Sequence, residues 1–231
     1  MTQVDGSVMD DTLVNCLEER LGSLLRSDRD GVLSEEERSE QMRVASSLAG
    51  VLPKRAPRAV LMAGMPGAGK TTLARALVSA GYERLCPDEQ MFQRYGRYGV
   101  DFPRGEFRVR EEPVLRDIGA ALRAVLASGK DAVVDHGFWT PEDRATWASL
   151  VREAGGVPVL VYLPVPHDVR WARIRKRNAM AAHDANAIEF SESDLLRFDG
   201  RFHPPTETEP HIVYDGRPES VLAALCSSPE R

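Results

Sequence analysis

Beyond residue 58 the chain alternates between short continuous apolar runs and longer stretches with an apolar residue at every third or fourth position. The runs at 59–63 (Ala59, Val60, Leu61, Met62, Ala63), 83–86, 131–135, 157–163 and 211–214 predict buried strands. Helical spacing predicts helices over 70–80, 106–128, 141–154, 166–180, 191–201 and 217–226. Gly129 ends the second of these, and Thr140, Pro141 and Glu142 open the third. Strands alternating with helices in this way predict an α/β fold: a parallel sheet of about five strands, covered on both faces as a three-layer sandwich. No internal repeat or low-complexity tract interrupts the pattern.

The first 50 residues follow only the helical rhythm. Asp10 or Asp11 can cap a helix carrying Leu13, Val14, Leu17, Leu21, Leu24 and Leu25, and Ser34 with Glu37 forms a capping box that opens a second helix to about Ala49. Counted from Arg26, residues 26–37 imitate a calcium-binding loop, with Asp28, Asp30, Gly31 and Glu37 at the expected offsets. The first position, however, is Arg26, whose guanidinium would repel the ion, so the stretch reads as an Asp/Gly turn between two helices. Residues 1–52 thus form a helical extension. Residues 53–58 form a short basic linker into the main domain at 53–231.

Charge separates the same two regions. Residues 1–50 carry a balance of −6 and the remainder +1, which gives the net −5. A nearly neutral body argues against a general nucleic-acid binder, which usually presents a strongly basic face. The three cysteines, Cys16, Cys86 and Cys226, lie far apart and form no metal-ligand pair, so they read as reduced thiols. No apolar run approaches the length needed to cross a bilayer, and the acidic start lacks a signal-peptide pattern. The expected location is cytoplasmic.

The candidate chemistry begins where the first strand ends. Gly64, Met65, Pro66, Gly67, Ala68, Gly69, Lys70 and Thr71, followed by Thr72, satisfy the phosphate-loop pattern in its required strand–loop–helix context. The glycines let successive backbone N–H groups approach a phosphate without a Cβ clash, and the helix starting near Lys70 adds its positive end. Lys70 is placed to bridge the β- and γ-phosphates and the Thr71 hydroxyl to ligate Mg²⁺. The expected ligands are therefore ATP and Mg²⁺.

Three further groups would sit at the same edge of the sheet, where ligands gather in open α/β folds. Asp88 follows the second strand and can accept the proton of an attacking hydroxyl; alternatively it caps the helix that begins there. Asp135 ends the third strand, the position of a carboxylate that holds the Mg²⁺ shell; a turn Asp is the alternative. The helix after the fourth strand carries Arg170, Arg173, Arg175, Lys176 and Arg177. Arg173 and Arg177 share a face four residues apart, from which they can neutralise a transferring phosphoryl group. A solvated basic helix is the alternative. Residues 94–110 hold five arginines and four aromatics around three glycines and read as a mobile acceptor-site segment. Arg94, Tyr95, Arg97, Tyr98 and Arg104 are its candidate contacts, together with His136, which could equally be a plain loop residue.

Taken together these residues resemble the small phosphate-loop kinases of the AAA_33, or zeta-toxin-like, group, which lies near chloramphenicol phosphotransferase, the kinase domain of polynucleotide kinase and the zeta toxins. The resemblance runs from about Arg58 to Asp215. It is carried by Gly64 to Thr72, by Pro87, Asp88 and Glu89, by Asp135 to Trp139, by Asp168 to Asn178, and by Phe202 to Pro205 with Glu207 and Glu209. It implies that Asp88 is the base activating the acceptor hydroxyl, that Arg173 and Arg177 are lid arginines within lid helices spanning about 166–201, and that residues 202–210 border the nucleotide. The extension at 1–52 lies outside the family core, and His136 stands where many relatives carry a small or different residue.

The reading that follows is an ATP-dependent phosphotransferase acting on a hydroxyl of a small antibiotic-, nucleoside- or sugar-like molecule. The alternatives are a polynucleotide 5′-hydroxyl kinase and a nucleotide-dependent regulatory ATPase.

Overall fold

The computed structural model describes residues 34–51, 55–180 and 190–227. The chain divides into two units, Met1–Arg55 and Ala56–Arg231. In the first, helix α1 (Glu35–Val51) opens as its sequence predicts: the Glu37 backbone N–H donates to Ser34 Oγ at 3.3 Å, and the Ser34 N–H donates to Glu37 Oε2 at 2.9 Å. The helix expected from Asp10 or Asp11, and the Asp28–Gly31 turn, lie outside the described residues.

The second unit is a five-stranded parallel sheet between helices, as the alternating pattern predicts. In chain order it comprises β1 (Arg58–Ala63), α2 (Lys70–Ser79), β2 (Glu83–Leu85), α3 (Pro87–Tyr95), α4 (Phe107–Ala127), β3 (Ala132–Val134), α5 (Pro141–Glu153), β4 (Val157–Tyr162), α6 (His167–Met180), α7 (Glu192–Asp199), β5 (Ile212–Val213) and α8 (Pro218–Ser227). The strand order is β2-β3-β1-β4-β5, with β1 central; Val60 stands opposite Val133 on one side and Val159 on the other.

The period-2 alternation of β1 sorts the core into two layers. Val60 and Met62 face one side and pack with Leu73, Leu77, Val221 and Leu225 of α2 and α8. Ala59 and Leu61 face the other and pack with Val114, Ile118 and Leu122 of α4 and Val151 of α5. Removing one of these fully buried leucines would cost about 2–5 kcal/mol.

Helix starts are set locally. Thr140 accepts a hydrogen bond from the Asp143 N–H at 3.1 Å, with Pro141 at the first helical position. Ser191 and Asp194 form a reciprocal capping box at the start of α7.

The segment at 94–110 departs from its expected character. It folds around a cluster of rings: Phe102 is buried, and Tyr95, Tyr98 and Phe107 are joined through it and through one another by edge-on contacts at 5.2–6.2 Å. The Arg110 guanidinium lies over both Tyr95 and Phe102, and Arg104 over Tyr98. Two of the five arginines that made the stretch look like a binding segment, Arg104 and Arg110, thus lie as lids on an aromatic packing unit.

Candidate functional site

With β1 central, the loops after β1 and β3 and the helices that follow β2 and β4 gather at one edge of the sheet and surround a cleft of about 1120 Å³. Its donor side is the turn between β1 and α2. Gly67 and Gly69 have φ of +79° and +102°, a region that side-chain-bearing residues rarely adopt. Gly67 is constrained a second time, because a Cβ there would lie 2.8 Å from the Arg170 carbonyl oxygen of α6. Arg173 extends the same contact, donating from Nη1 to the Gly67 carbonyl at 3.2 Å. The helix bearing the candidate lid arginines is thus seated on the phosphate loop.

Lys70 folds back over the loop, donating from Nζ to the carbonyls of Gly64 at 3.1 Å and Met65 at 3.2 Å. Burial pushes its pKa below the usual lysine value, opposed by the nearby Asp135 and Asp88 carboxylates. Pro66, Gly67, Gly69, Lys70, Thr71 and Thr72 line the cleft, whereas Met65 and Ala68 are buried and shape the loop from below.

Thr71 Oγ1 donates to Asp135 Oδ1 at 3.4 Å, and both residues line the cleft. The other carboxylate oxygen, Oδ2, is gripped by Arg84 through Nε at 2.9 Å and Nη2 at 2.6 Å, and Arg84 Nη1 also reaches Glu89 at 2.7 Å. Burial opposes the Arg84 charge, but these hydrogen bonds outweigh it and hold the guanidinium above its usual range. Among the described residues no group of three or more His, Cys, Asp or Glu side chains could hold a metal ion. The donor set left is one hydroxyl and one carboxylate oxygen. That fits Mg²⁺, which is commonly bound through one or two protein oxygens, with phosphate and water completing its shell.

Asp88 stands at the second position of α3, behind an N-cap supplied by Cys86, so it does not cap the helix. Its carboxylate makes no hydrogen bond or ion pair to the described residues, and it lines the cleft. Burial pushes its pKa up, Lys70 pulls it down, Asp135 adds to the rise, and Arg177 and Arg84 oppose it.

Arg177 borders the cleft on α6, one turn beyond Arg173. The opening of α6 is tied to α7 by Asp199, which accepts from Arg170 Nη2 at 2.6 Å and lies 2.9 Å from His167 Nδ1.

Of the candidate acceptor contacts, Tyr98, Arg104 and His136 line the cleft. His136 is pushed down to about 4 by burial and by the neighbouring Lys70, so its ring is neutral near pH 7. Arg94, Tyr95 and Arg97 are not brought there. Arg94 pairs with Asp117 at 2.7 Å, Arg97 pairs with Asp101 at 3.1 Å, and Tyr95 belongs to the aromatic cluster. Residues 202–210 do not line the cleft either. Glu209 instead forms a two-pronged ion pair, at 2.6 and 2.8 Å, with the buried Arg144, which also donates to the His203 carbonyl at 2.9 Å.

Among the residues that sequence reasoning missed are Arg84, which holds Asp135, and Glu111 and Asp143, which line the cleft. Arg84 carried no legible signal on a three-residue edge strand. Glu111 did: it falls in register with Val114, Ile118, Leu122 and Leu126, all buried, so a carboxylate occupies the core-facing stripe of α4. At that position burial and repulsion from Asp88 raise it to about 7, Arg108 pulls it down, and Asp143 adds a smaller upward push.

No helix among the described residues is long and apolar enough to cross a membrane. A search of the curated proteins returns no match. Among solved structures, a candidate kinase from Chloroflexus aurantiacus aligns at 20% identity over 74% of this chain and 98% of its own, with a TM-score of 0.60. Kti12 of Chaetomium thermophilum, solved with ADP-AlF3, aligns at 14% identity over 74% of this chain and 97% of its own, with a TM-score of 0.53. The Mycobacterium tuberculosis APS kinase CysC, solved with AMPPNP and APS, aligns at 18% identity over 76% of this chain and all of its own, with a TM-score of 0.50. At these identities the likeness is one of fold, and it is the phosphate-loop fold built here around Gly64–Thr71. The AAA_33 family model, described as an AAA domain, matches residues 60–205, more than half of the sequence, and the chain belongs to that family.

Proposed function

We propose that this protein transfers the γ-phosphoryl group of ATP to a hydroxyl of a small molecule. The observation that carries the reading is Asp88: a carboxylate without a protein partner among the described residues, facing the cleft beside Lys70 and Arg177. A binding protein or switch has no need of such a group, whereas an acceptor hydroxyl needs a base.

In the reaction the acceptor O–H gives its proton to Asp88 as its oxygen bonds to the γ-phosphorus. The bond from that phosphorus to the β,γ-bridging oxygen breaks, leaving a phosphate ester and ADP. Lys70 leaves the Gly64 and Met65 carbonyls to meet the β- and γ-oxygens, and Arg173 and Arg177 stabilise the charge spread over the transferring group. Thr71 and Asp135 would hold Mg²⁺, which supplies charge neutralisation at the phosphates. Two relatives of the same fold bear kinase names, which supports the class of reaction.

The test is Asp88→Asn. Acceptor-dependent ADP formation should fall by about 10²–10⁴-fold while nucleotide binding persists. Undiminished turnover would remove Asp88 as the base. Stimulation by 5′-hydroxyl oligonucleotides alone would replace the small-molecule reading with a polynucleotide kinase, and acceptor-independent turnover would point to a regulatory ATPase. Because Asp88 must be ionised to act, and burial raises its pKa, the acid limb of the rate profile should lie above that of an ordinary aspartate.

A further inference from the structure

We propose that the acceptor is an amino sugar or aminocyclitol, whose protonated amine is held by Glu111 while a nearby hydroxyl faces Asp88. This rests on the phosphotransferase reading above and names the substrate class of the same cleft.

Three carboxylates from three elements face the acceptor half: Asp88 of α3, Glu111 of α4 and Asp143 of α5. Neither Asp88 nor Glu111 has a hydrogen bond or ion pair to the described residues, and the Asp143 side chain likewise has none. Both neighbours repel Glu111, and among the described residues Arg108 offsets them. Of the other arginines that line the cleft, Arg104 and Arg197 are both engaged by Asp194, Arg173 reaches the Gly67 carbonyl, and Arg75, Arg177 and Arg201 also border it.

A cation placed among these carboxylates would relieve the repulsion that the fold sustains. A bare metal ion does not fit, since no three such groups stand close enough to hold one among the described residues. A larger molecule with several N–H and O–H donors does fit, because each carboxylate can then receive its own donor. The wall between them favours a saturated ring: Trp147, packed at 5.3 Å on the buried Phe138, and Phe107 border the cleft and offer apolar surface for C–H packing and for an ammonium group. An anionic acceptor would meet Glu111 and Asp143 unfavourably.

The experiment uses the full chain with AMPPNP bound and a matched panel: glucosamine and 2-deoxystreptamine as amines, N-acetylglucosamine and myo-inositol as neutral counterparts, and glucuronate as the anion. Thermal shift reads binding, and ADP formation with ATP reads turnover. Amines should raise the Tm where their neutral counterparts do not. In Glu111→Gln the amine-dependent kcat/KM should drop by about 10–100-fold, as expected for loss of a charge-assisted hydrogen bond, with partial recovery in Glu111→Asp. AMPPNP affinity serves as the check that each variant is folded.

The inference is overturned if neutral or anionic acceptors match the amines, if no amine shifts the Tm, or if Glu111→Gln retains full activity on amines. Turnover of neutral acceptors that is lost in Asp88→Asn would end the amine assignment and leave the kinase reading standing. Turnover that ignores both the panel and Asp88→Asn would end both.

Discussion

The two halves of the cleft are built on different principles. On the donor side the backbone does the shaping: two glycines with positive φ, a helix start at Lys70 and the α6 backbone pressed against Gly67 fix the loop regardless of most side chains. On the side proposed for the acceptor the lining is mostly side chains contributed by α3, α4, α5 and the segment after β3. A site made of backbone tolerates little substitution and serves one ligand class, whereas a site made of side chains can be re-cut for another acceptor on the same frame. The carboxylate Asp135 stands between the halves, one oxygen toward Thr71 and the other held by Arg84.

That junction should be the most sensitive point. In Arg84→Leu the buried Asp135 loses both of its guanidinium hydrogen bonds, and breaking such a pair costs about 3 kcal/mol. Chemical denaturation should register that loss, and the Mg²⁺ concentration needed for half-maximal turnover should rise. Unchanged stability with an unchanged Mg²⁺ requirement would mean that Arg84 does not position Asp135. The backbone argument is broken or sharpened by a pair of alanine variants. Gly67→Ala and Gly129→Ala both place a side chain at positive φ, worth about 1–2 kcal/mol. Gly129 has open space around it, while Gly67 meets the Arg170 carbonyl. Gly67→Ala should therefore be the more destabilising of the two and should weaken nucleotide binding. Equal effects would mean that the α6 contact is incidental.

Glu111 gives a smaller effect with a distinctive pH signature. Its pKa stands near 7 in the folded chain against an ordinary 4.5, so between those values the unfolded chain has released a proton that the folded one keeps. Stability then declines as pH rises through that window. Glu111→Gln removes the term. The variant should match the parent near pH 4 and exceed it at pH 8, with each kcal/mol appearing as about 2–4 °C in Tm. Thermal melts at the two pH values provide the comparison, and an equal shift at both would exclude the half-buried Glu111 carboxylate as its source.

How much was legible in the sequence follows the same division. The strands, the phosphate loop, the capping box at Ser34 and the N-cap at Thr140 are local: each depends on residues within a few positions, and sequence spacing carries that information directly. The placement of Asp88 and Asp135 at one edge followed from parallel topology. The 94–110 segment did not follow, because the same arginines and aromatics that would suit a ligand also suit one another, and only the chain path shows that Phe102 is buried and Arg110 lies over it. Arg84 was hidden for a related reason: its partners Glu89 and Asp135 are five and 51 residues away, and nothing local distinguishes it from a solvated edge-strand charge.

The smallest effect is expected where the sequence suggested a contact and the fold directed the side chain elsewhere. Arg94 and Asp117 form an exposed pair, with side chains 38% and 57% accessible, and such pairs contribute about 0–1 kcal/mol. Arg94→Ala should therefore leave acceptor kcat/KM within about twofold of the parent and stability within about 0.5 kcal/mol. Tyr98→Ala is the matched contrast: Tyr98 lines the cleft and also packs on Phe102 and Phe107, so its loss should lower acceptor kcat/KM and stability together. If Arg94→Ala instead raised the acceptor KM tenfold with the Tm unchanged, the acceptor half would extend beyond the cleft drawn here. The segment that folds around its own aromatics would then also be a binding surface.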